Sequence, residues 1–320
     1  NFKFGYVDPE ITYRSLGIQF AYTGTDMGSS FGNSIHDINQ SSIFTNLLYN
    51  SIIGNTYNKI KTGISISYDE FDEYISNLNI NSFDISRTEK SIGAYFEYNY
   101  TNADKINLSA GIRIDNHNKI GTFISPRFHM NYMLFPKSTI KFSFGKATRL
   151  ANIFSENQKL FFSSRQIIFS DGSNLSDFSN LKADEAWNYG ISIINSFKLL
   201  DKESQLILDY YITDFENKVV ADWETPAQIN FYNLTGKSFS NSFQAQFSYT
   251  LSNSIDLLLA YKNTVAETEY ITQGRLKNPL TPIDRIFFNV AYNGPTNDKG
   301  KNWKYDLTFN HVGEQRLPST

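Results

Sequence analysis

Alternation of apolar and polar side chains is the feature that most constrains the fold of this chain. Between Lys105 and Asp115, the residues Ile106, Ile112 and Ile114 share one parity with other apolar residues, and polar or small residues occupy the other. A period of two residues is that of a β-strand with one apolar face. About thirteen such segments follow one another, which predicts an all-β fold of antiparallel strands.

The connections between these segments alternate between short and long. Short ones such as Gly54–Thr56, Pro136–Lys137 and Ser252–Ser254 are rich in turn-forming residues. The long polar stretches are Gly24–Gln40, Asp69–Lys90, Leu150–Leu181, Val220–Ala227 and Val265–Thr281. Short periplasmic turns and long outer loops are typical of outer-membrane barrels. The pattern therefore predicts an antiparallel transmembrane β-barrel with outer-membrane lipid against its apolar face.

Composition agrees with a barrel in the outer membrane. The chain has 27 Phe and 20 Tyr, which suit the aromatic girdles at the two membrane interfaces. Only 40% of the residues are hydrophobic, as expected when every second residue of a strand faces water. The absence of Cys excludes disulfides and thiolate metal sites, and the net charge of -3 provides no basic surplus for nucleic acid.

The number of strands indicates that the barrel is partial. Thirteen is odd, whereas bacterial single-chain barrels close with an even number of strands. We therefore expect residues 1–320 to form part of one outer-membrane β-barrel domain, with further strands outside this sequence.

Three stretches resemble the barrel of TonB-dependent outer-membrane receptors, especially those of the Bacteroidetes type. The first joins Ser125–Phe128 to Phe142–Leu150, a strand-turn-strand unit that leads into a long outer loop. The second is Leu181–Tyr189, which resembles a strand start of the family, and the third is Phe231–Lys237. The resemblance extends over most of the chain from about Ser91 onward.

This resemblance implies a barrel of about 22 strands with a plugged lumen in the bacterial outer membrane. It also implies uptake of a scarce, large extracellular solute, such as a ferric siderophore or cobalamin, energised by the TonB complex. The plug domain, the N-terminal region that contacts TonB and the terminal strands are expected to lie outside this sequence.

The longest connection, Leu150–Leu181, holds the candidate ligand-binding residues. Its aromatic rings can stack on a solute, and an Arg can pair with an anionic metal chelate. The alternative interpretation is a packed, purely structural loop. The candidates are Arg149, which ends the strand before this loop, and Phe154, Phe161, Phe162 and Arg165 within it; the loop also contains Phe169 and Phe178.

Other kinds of site and function are weighed against the receptor. The four His residues lack ligand spacing and no catalytic or phosphate-binding motif is found, so we expect no metal site, no cofactor and no enzyme activity. Two interpretations remain open beside the receptor. One is a passive porin, or a barrel adhesin or scaffold, without a plug; the other is a soluble all-β binding protein.

A charge on the apolar face is expected to block membrane assembly, whereas a charge on the polar face is not. Arg near the bilayer midplane costs roughly 2–4 kcal/mol on the lipid side, because lipid does not solvate the guanidinium. We expect Ala110→Arg to abolish the heat-modifiable band of the folded barrel on gels and Ser109→Arg to retain it. Equal tolerance of the two changes would contradict a transmembrane barrel.

Overall fold

The computed structural model describes residues 2–7, 14–32, 34–77, 80–102, 105–170, 181–296 and 298–319. The first strands are β1 (Phe2–Val7), β2 (Arg14–Phe31), β3 (Ser34–Ile52), β4 (Asn58–Asn77), β5 (Ile80–Asn102), β6 (Ile106–His117), β7 (Gly121–Phe135), β8 (Ser138–Arg149) and β9 (Gln166–Phe169). The others are β10 (Asp184–Leu199), β11 (Lys202–Asn217), β12 (Val219–Asp222), β13 (Gln228–Asn233), β14 (Ser238–Ser252), β15 (Ile255–Tyr270), β16 (Gly274–Lys277), β17 (Asp284–Asn293) and β18 (Lys304–Val312). Two four-residue helices, α1 (Ile153–Glu156) and α2 (Gln158–Phe161), lie between β8 and β9. Within the described residues, no helix is long and apolar enough to cross a membrane.

Fourteen strands form one antiparallel path. Its order is β1 to β8, then β10, β11, β14, β15, β17 and β18, and β16 pairs with β15 beside it. Each strand pairs with the next strand of the path, which is the meander of an up-and-down barrel. The all-β antiparallel prediction is confirmed. The thirteen predicted segments correspond to β2 through β18 of this path, and the six-residue β1 was not among them.

The two faces of the sheet are inverted relative to those of a soluble protein. Ile64 and Ile66 of β4 are 49% and 50% exposed, whereas Ser65 between them is 2% exposed. The same alternation recurs on β6, where Ile114 is exposed and Asp115 is buried. A barrel in lipid requires this arrangement, because its apolar side chains meet the membrane and its polar ones meet the lumen.

Aromatic rings mark two levels on the apolar face. On β10, Trp187 lies near the outer end and Phe197 lies ten residues further on, near the short turn. Ten residues at ~3.3 Å each give ~33 Å along the strand, and a tilt of ~40° reduces this to ~25 Å, the height of a membrane-barrel apolar band. Trp187 stacks on Phe144 with centroids 5.2 Å apart, and Phe197 lies 6.5 Å from Phe247. The two levels match aromatic girdles.

Two predicted loops are strand over nearly their whole length, and a third, Val265–Thr281, contains the end of β15 and all of β16. Gly24–Gln40 and Asp69–Lys90 continue the ladders of β2–β3 and β4–β5, and the first ladder ends only at Phe31 opposite Ser34. The alternation fades in these stretches because both faces meet water above the membrane, while backbone pairing needs no alternation. The result is two long hairpins that project from the outer end of the sheet.

A glycine on the inner face allows a side chain of the next strand to cross over it and reach the strand beyond. Tyr95 of β5 lies over Gly63 of β4, and its hydroxyl donates to Asn46 Oδ1 of β3 at 3.3 Å. A Cβ at Gly63 would overlap both the carbonyl oxygen of Leu47 and the Tyr95 hydroxyl. Since one of these atoms is backbone, a side chain here must displace strand β3.

Gly63→Val is therefore expected to destabilise the barrel by about 1–3 kcal/mol, the usual cost of overpacking. The measurement is the urea midpoint of unfolding of the full-length protein in detergent. Gly24→Val is the matched control, because a Cβ at Gly24 would have only the Tyr22 hydroxyl nearby, at 3.7 Å. An unchanged midpoint for Gly63→Val would contradict the tight crossing.

Candidate functional site

Two outer loops fold together at the end of the sheet opposite the short turns. Strand β9 lies in the connection from β8 to β10, and β12 and β13 lie in the connection from β11 to β14. Strand β13 pairs in parallel with β9, with Ile229 opposite Ile167, and antiparallel with β12. We call α1, α2, β9, β12 and β13 the outer-loop body.

The outer-loop body has its own apolar core. The rings of Phe161 and Phe231 stack with centroids 5.6 Å apart and planes 5° apart. Ile75 and Ile85 join the core from the β4–β5 hairpin, so the body is anchored to the projecting strands. The buried members are Ile75, Ile85, Ile153, Phe154, Leu160, Phe161, Leu181, Ile229 and Phe231.

The candidate aromatic residues occupy different positions in this body. Phe154 and Phe161 are 1% and 4% exposed and lie in the core. Phe162 is half-buried, and its ring stacks on that of Phe31 with centroids 6.4 Å apart. Phe178 lies outside the described residues. Contact of these rings with a ligand stays a prediction.

The two candidate arginines connect parts of the outer end. Arg149 donates to both carboxylate oxygens of Glu156 at 2.6 and 2.8 Å and to Asp184 Oδ2 at 2.9 Å. Arg165 donates to the carbonyl oxygen of Trp223 at 2.8 Å and lies 5.9 Å from its ring centroid. Arg149 thus ties β8 to α1 and β10, and Arg165 ties the two loops of the body.

A buried charged cluster joins the two projecting hairpins to α2. His36 Nε2 lies 3.1 Å from Glu73 Oε2, and Arg87 forms an ion pair with the same carboxylate. Gln158 of α2 lies 3.3 Å from His36 Nδ1. Burial favours the neutral acid, but the hydrogen bonds and charges of His36 and Arg87 outweigh it and hold the pKa of Glu73 below its usual value. Among the described residues, no group of three or more His, Asp or Glu side chains is placed to hold a metal ion.

A second buried carboxylate attaches the segment after β18 to the outer-loop body. Glu224 follows β12, and both of its oxygens accept from Arg316, at 2.8 and 2.5 Å. The backbone N–H of Ser319 donates to Glu224 at 3.1 Å. Arg316 also donates to the carbonyl oxygen of Lys277 at 2.6 Å, so three outer connections meet at this ion pair.

A cavity of about 390 Å³ opens between the outer-loop body and the sheet. Arg149, Asp184, Phe215 and Thr268 form its strand wall, and all four stand on the polar parity of their strands. The body therefore lies over the inner face of the sheet, at its mouth. We call this space the mouth cavity, and Arg149 is the one candidate residue that lines it.

Sequence reasoning did not find most of the residues that shape the mouth. Lys159, Lys218 and Trp223 line the cavity, and Glu73 and Glu224 are buried among charges. Lys159, Lys218, Trp223 and Glu224 carry no motif in the sequence, and Glu73 ends the acidic run Asp69–Glu73. Most of their partners lie on other segments of the chain, so no local spacing could have indicated them.

An antiparallel meander with an apolar outer face, a polar inner face and structured outer loops defines a transmembrane β-barrel protein. The sequence model of one family, described as TonB dependent receptor-like, beta-barrel, matches residues 1–320. This chain belongs to the TonB-dependent receptor β-barrel family, a family of bacterial outer-membrane proteins. The family expected from the sequence is thereby confirmed, and the Bacteroidetes type stays a prediction.

Solved structures of the same fold belong to a copper transporter and to siderophore receptors. The copper transporter OprC aligns with a TM-score of 0.66 and 13% identity over 93% of this chain and 48% of its own. The siderophore receptor PirA from Acinetobacter baumannii aligns with a TM-score of 0.60 and 14% identity over 95% of this chain and 51% of its own. A mutant of the ferric enterobactin receptor PfeA from Pseudomonas aeruginosa aligns with a TM-score of 0.60 and 12% identity over 95% of this chain and 50% of its own.

At these identities the likeness shows the fold alone. This chain spans about half the length of the solved structures that it matches. A comparison with curated protein sequences finds no match.

Removing the charge of Glu73 is expected to loosen the projecting hairpins. Glu73→Gln removes one of the two carboxylates that pair with Arg87, the other being Glu89 at 3.0 Å, and the loss costs about 1–3 kcal/mol. We expect faster cleavage of the hairpins by protease added to the folded protein. Asp72→Asn, which changes an exposed carboxylate on the same strand, is expected to leave cleavage unchanged.

The same pair predicts a pH dependence. Because the pKa of Glu73 in the folded protein lies below its ordinary value of 4.5, its ionised form stabilises the hairpins above pH 4.5. This stabilisation is lost as the pH falls through the folded-state pKa. Wild-type resistance to an acid-active protease should fall over that range, and resistance that does not depend on pH would argue against the pair.

Proposed function

We propose that this chain is part of the barrel of a receptor that takes up a scarce, large solute across the bacterial outer membrane. Ferric siderophores and cobalamin are the solute classes that we propose. One observation carries the proposal: the outer loops form a packed body over the inner face of the sheet and leave a cavity at the mouth. A solute-capturing protein needs such a structured surface, because binding residues are held best by a rigid scaffold.

Energy for uptake is proposed to come from the TonB complex through a plug domain carried elsewhere in the full-length protein. The support is membership of the family and the twofold greater length of the matched solved structures. On this proposal residues 1–320 belong to one barrel domain. The protein's partners are outer-membrane lipid, the extracellular solute and TonB, and it acts by binding and transport rather than catalysis.

The five candidate residues take two roles in this proposal. Arg149 lines the mouth cavity and is proposed to face the solute. Phe154 and Phe161 would act by holding the outer-loop body in shape, because they lie in its core. Phe162 and Arg165 would act at its edges, where they contact Phe31 and Trp223.

Deletion of the full-length gene is expected to abolish growth when one ferric siderophore, or cobalamin, is supplied as the only source. Excess simple iron salt should restore growth in the iron experiment, because it bypasses a high-affinity receptor. Growth is measured for a panel of defined sources. A deletion strain that grows like the wild type on every source would argue against uptake of these solutes.

Dependence on TonB separates the receptor from a passive porin. Loss of TonB is expected to reproduce the phenotype of the gene deletion, because the plug opens only when energised. If the gene still supports uptake in cells that lack TonB, the protein is a passive pore and the proposal is wrong.

A further inference from the structure

The mouth cavity contains more positive than negative charge. Three cations, Arg149, Lys159 and Lys218, line it together with two carboxylates, Glu156 and Asp184. Arg149 binds both carboxylates, at 2.6 and 2.9 Å. Within the described part of the chain, no carboxylate oxygen lies within 4.0 Å of Lys159 Nζ or Lys218 Nζ. One positive charge is therefore in excess, and two amines share the cavity without an acidic partner.

Lys218 is held by neutral groups. Its Nζ donates to Thr268 Oγ1 at 3.2 Å and lies 5.1 Å from the ring centroid of Phe215. Burial lowers the pKa of Lys218 below its usual value, and the charge of Asp184 opposes this effect. An ammonium carries three donors and Thr268 accepts one, so Lys218 retains donors for another acceptor.

Lys159 lies on the opposite wall, which the outer-loop body forms, and is more exposed than Lys218. It belongs to α2, and its Nζ lies 5.9 Å from the ring centroid of Trp223. An aromatic face attracts a cation without neutralising it. Both amines can therefore donate hydrogen bonds to an anionic group that enters the cavity.

We propose that Lys159 and Lys218 bind an anionic oxygen group of the solute, a carboxylate or a phosphate, inside the mouth cavity. This inference rests on the proposed receptor function and adds the charge of the solute and the residues that recognise it. A volume of about 390 Å³ lies within the range of small-molecule pockets. Phe215 and Val219, which are partly exposed, provide apolar wall for the remainder of the solute. Arg149 forms part of the cavity wall but adds no net positive charge, because Glu156 and Asp184 neutralise it.

Pyridoxal phosphate tests the proposal on the full-length receptor in detergent, because it carries both a phosphate and an aldehyde. A lysine Nζ attacks the aldehyde carbon, water leaves, and added borohydride reduces the C=N bond to a stable secondary amine. Mass spectrometry then locates the labelled lysine. We expect pyridoxal phosphate to label Lys218 about tenfold faster than pyridoxal, which lacks the phosphate.

Variants test whether the two lysines act together. Lys159→Met is expected to lower labelling of Lys218 by pyridoxal phosphate about tenfold, because it removes one phosphate-binding charge. Lys182→Met is the matched control, since Lys182 is an exposed lysine at the same end that does not line the cavity. It should leave labelling of Lys218 unchanged.

Competition identifies the anionic group. Protection of Lys218 by inorganic phosphate but not by citrate assigns a phosphate, and the reverse assigns a carboxylate. Equal labelling by pyridoxal and pyridoxal phosphate would show a merely reactive amine and overturn the proposal. Lack of protection by either anion would overturn it as well.

The two proposals fail separately. Phosphate-dependent labelling in a protein whose gene deletion leaves growth unchanged would retain the anion site and reject uptake of these solutes. Loss of growth on deletion, together with equal labelling by the two aldehydes, would retain uptake and reject the anion site.

Discussion

Backbone hydrogen bonding is the constraint on which the rest of this structure depends. Lipid offers no partner to an N–H or C=O group, so each spanning strand must pair with its neighbours along its whole length. The ladder of β4 and β5 meets this requirement from Asn58 opposite Tyr100 to the far end of the hairpin. Once the strands are paired, successive side chains face lipid and lumen in turn. Every second residue must therefore be apolar.

The same ladders shape the outer end. Because β2–β3 and β4–β5 continue beyond the membrane, they form a rigid platform on which the loops can pack. Ile75 and Ile85 bring this platform into the apolar core of the outer-loop body, and His36, which pairs with Glu73, connects it to Gln158 of α2. The mouth cavity lies between two walls that are both anchored to strands, so its charges hold defined positions.

Charge pairing decides which groups at the mouth remain available. Arg149 was the natural candidate from its place at the entrance of the longest loop, yet it binds two carboxylates. Lys218 had no distinguishing feature in the sequence, yet its amine contacts only Thr268 and the ring of Phe215 among the described residues. Aromatic residues show the same ambiguity, since Phe161 in a polar loop can serve a core or a binding surface, and only burial separates the two.

The sequence by itself determined the strand parity, the order of the meander, the sides of short and long connections, and the family. These features follow from a local period of two residues and from turn chemistry, which neighbouring residues carry. Only the tertiary structure decided that β9 pairs with β13 and that Glu224 meets Arg316, 92 residues away. Such contacts depend on which loops the paired strands bring together, and polar loops carry no periodic pattern that encodes their partners.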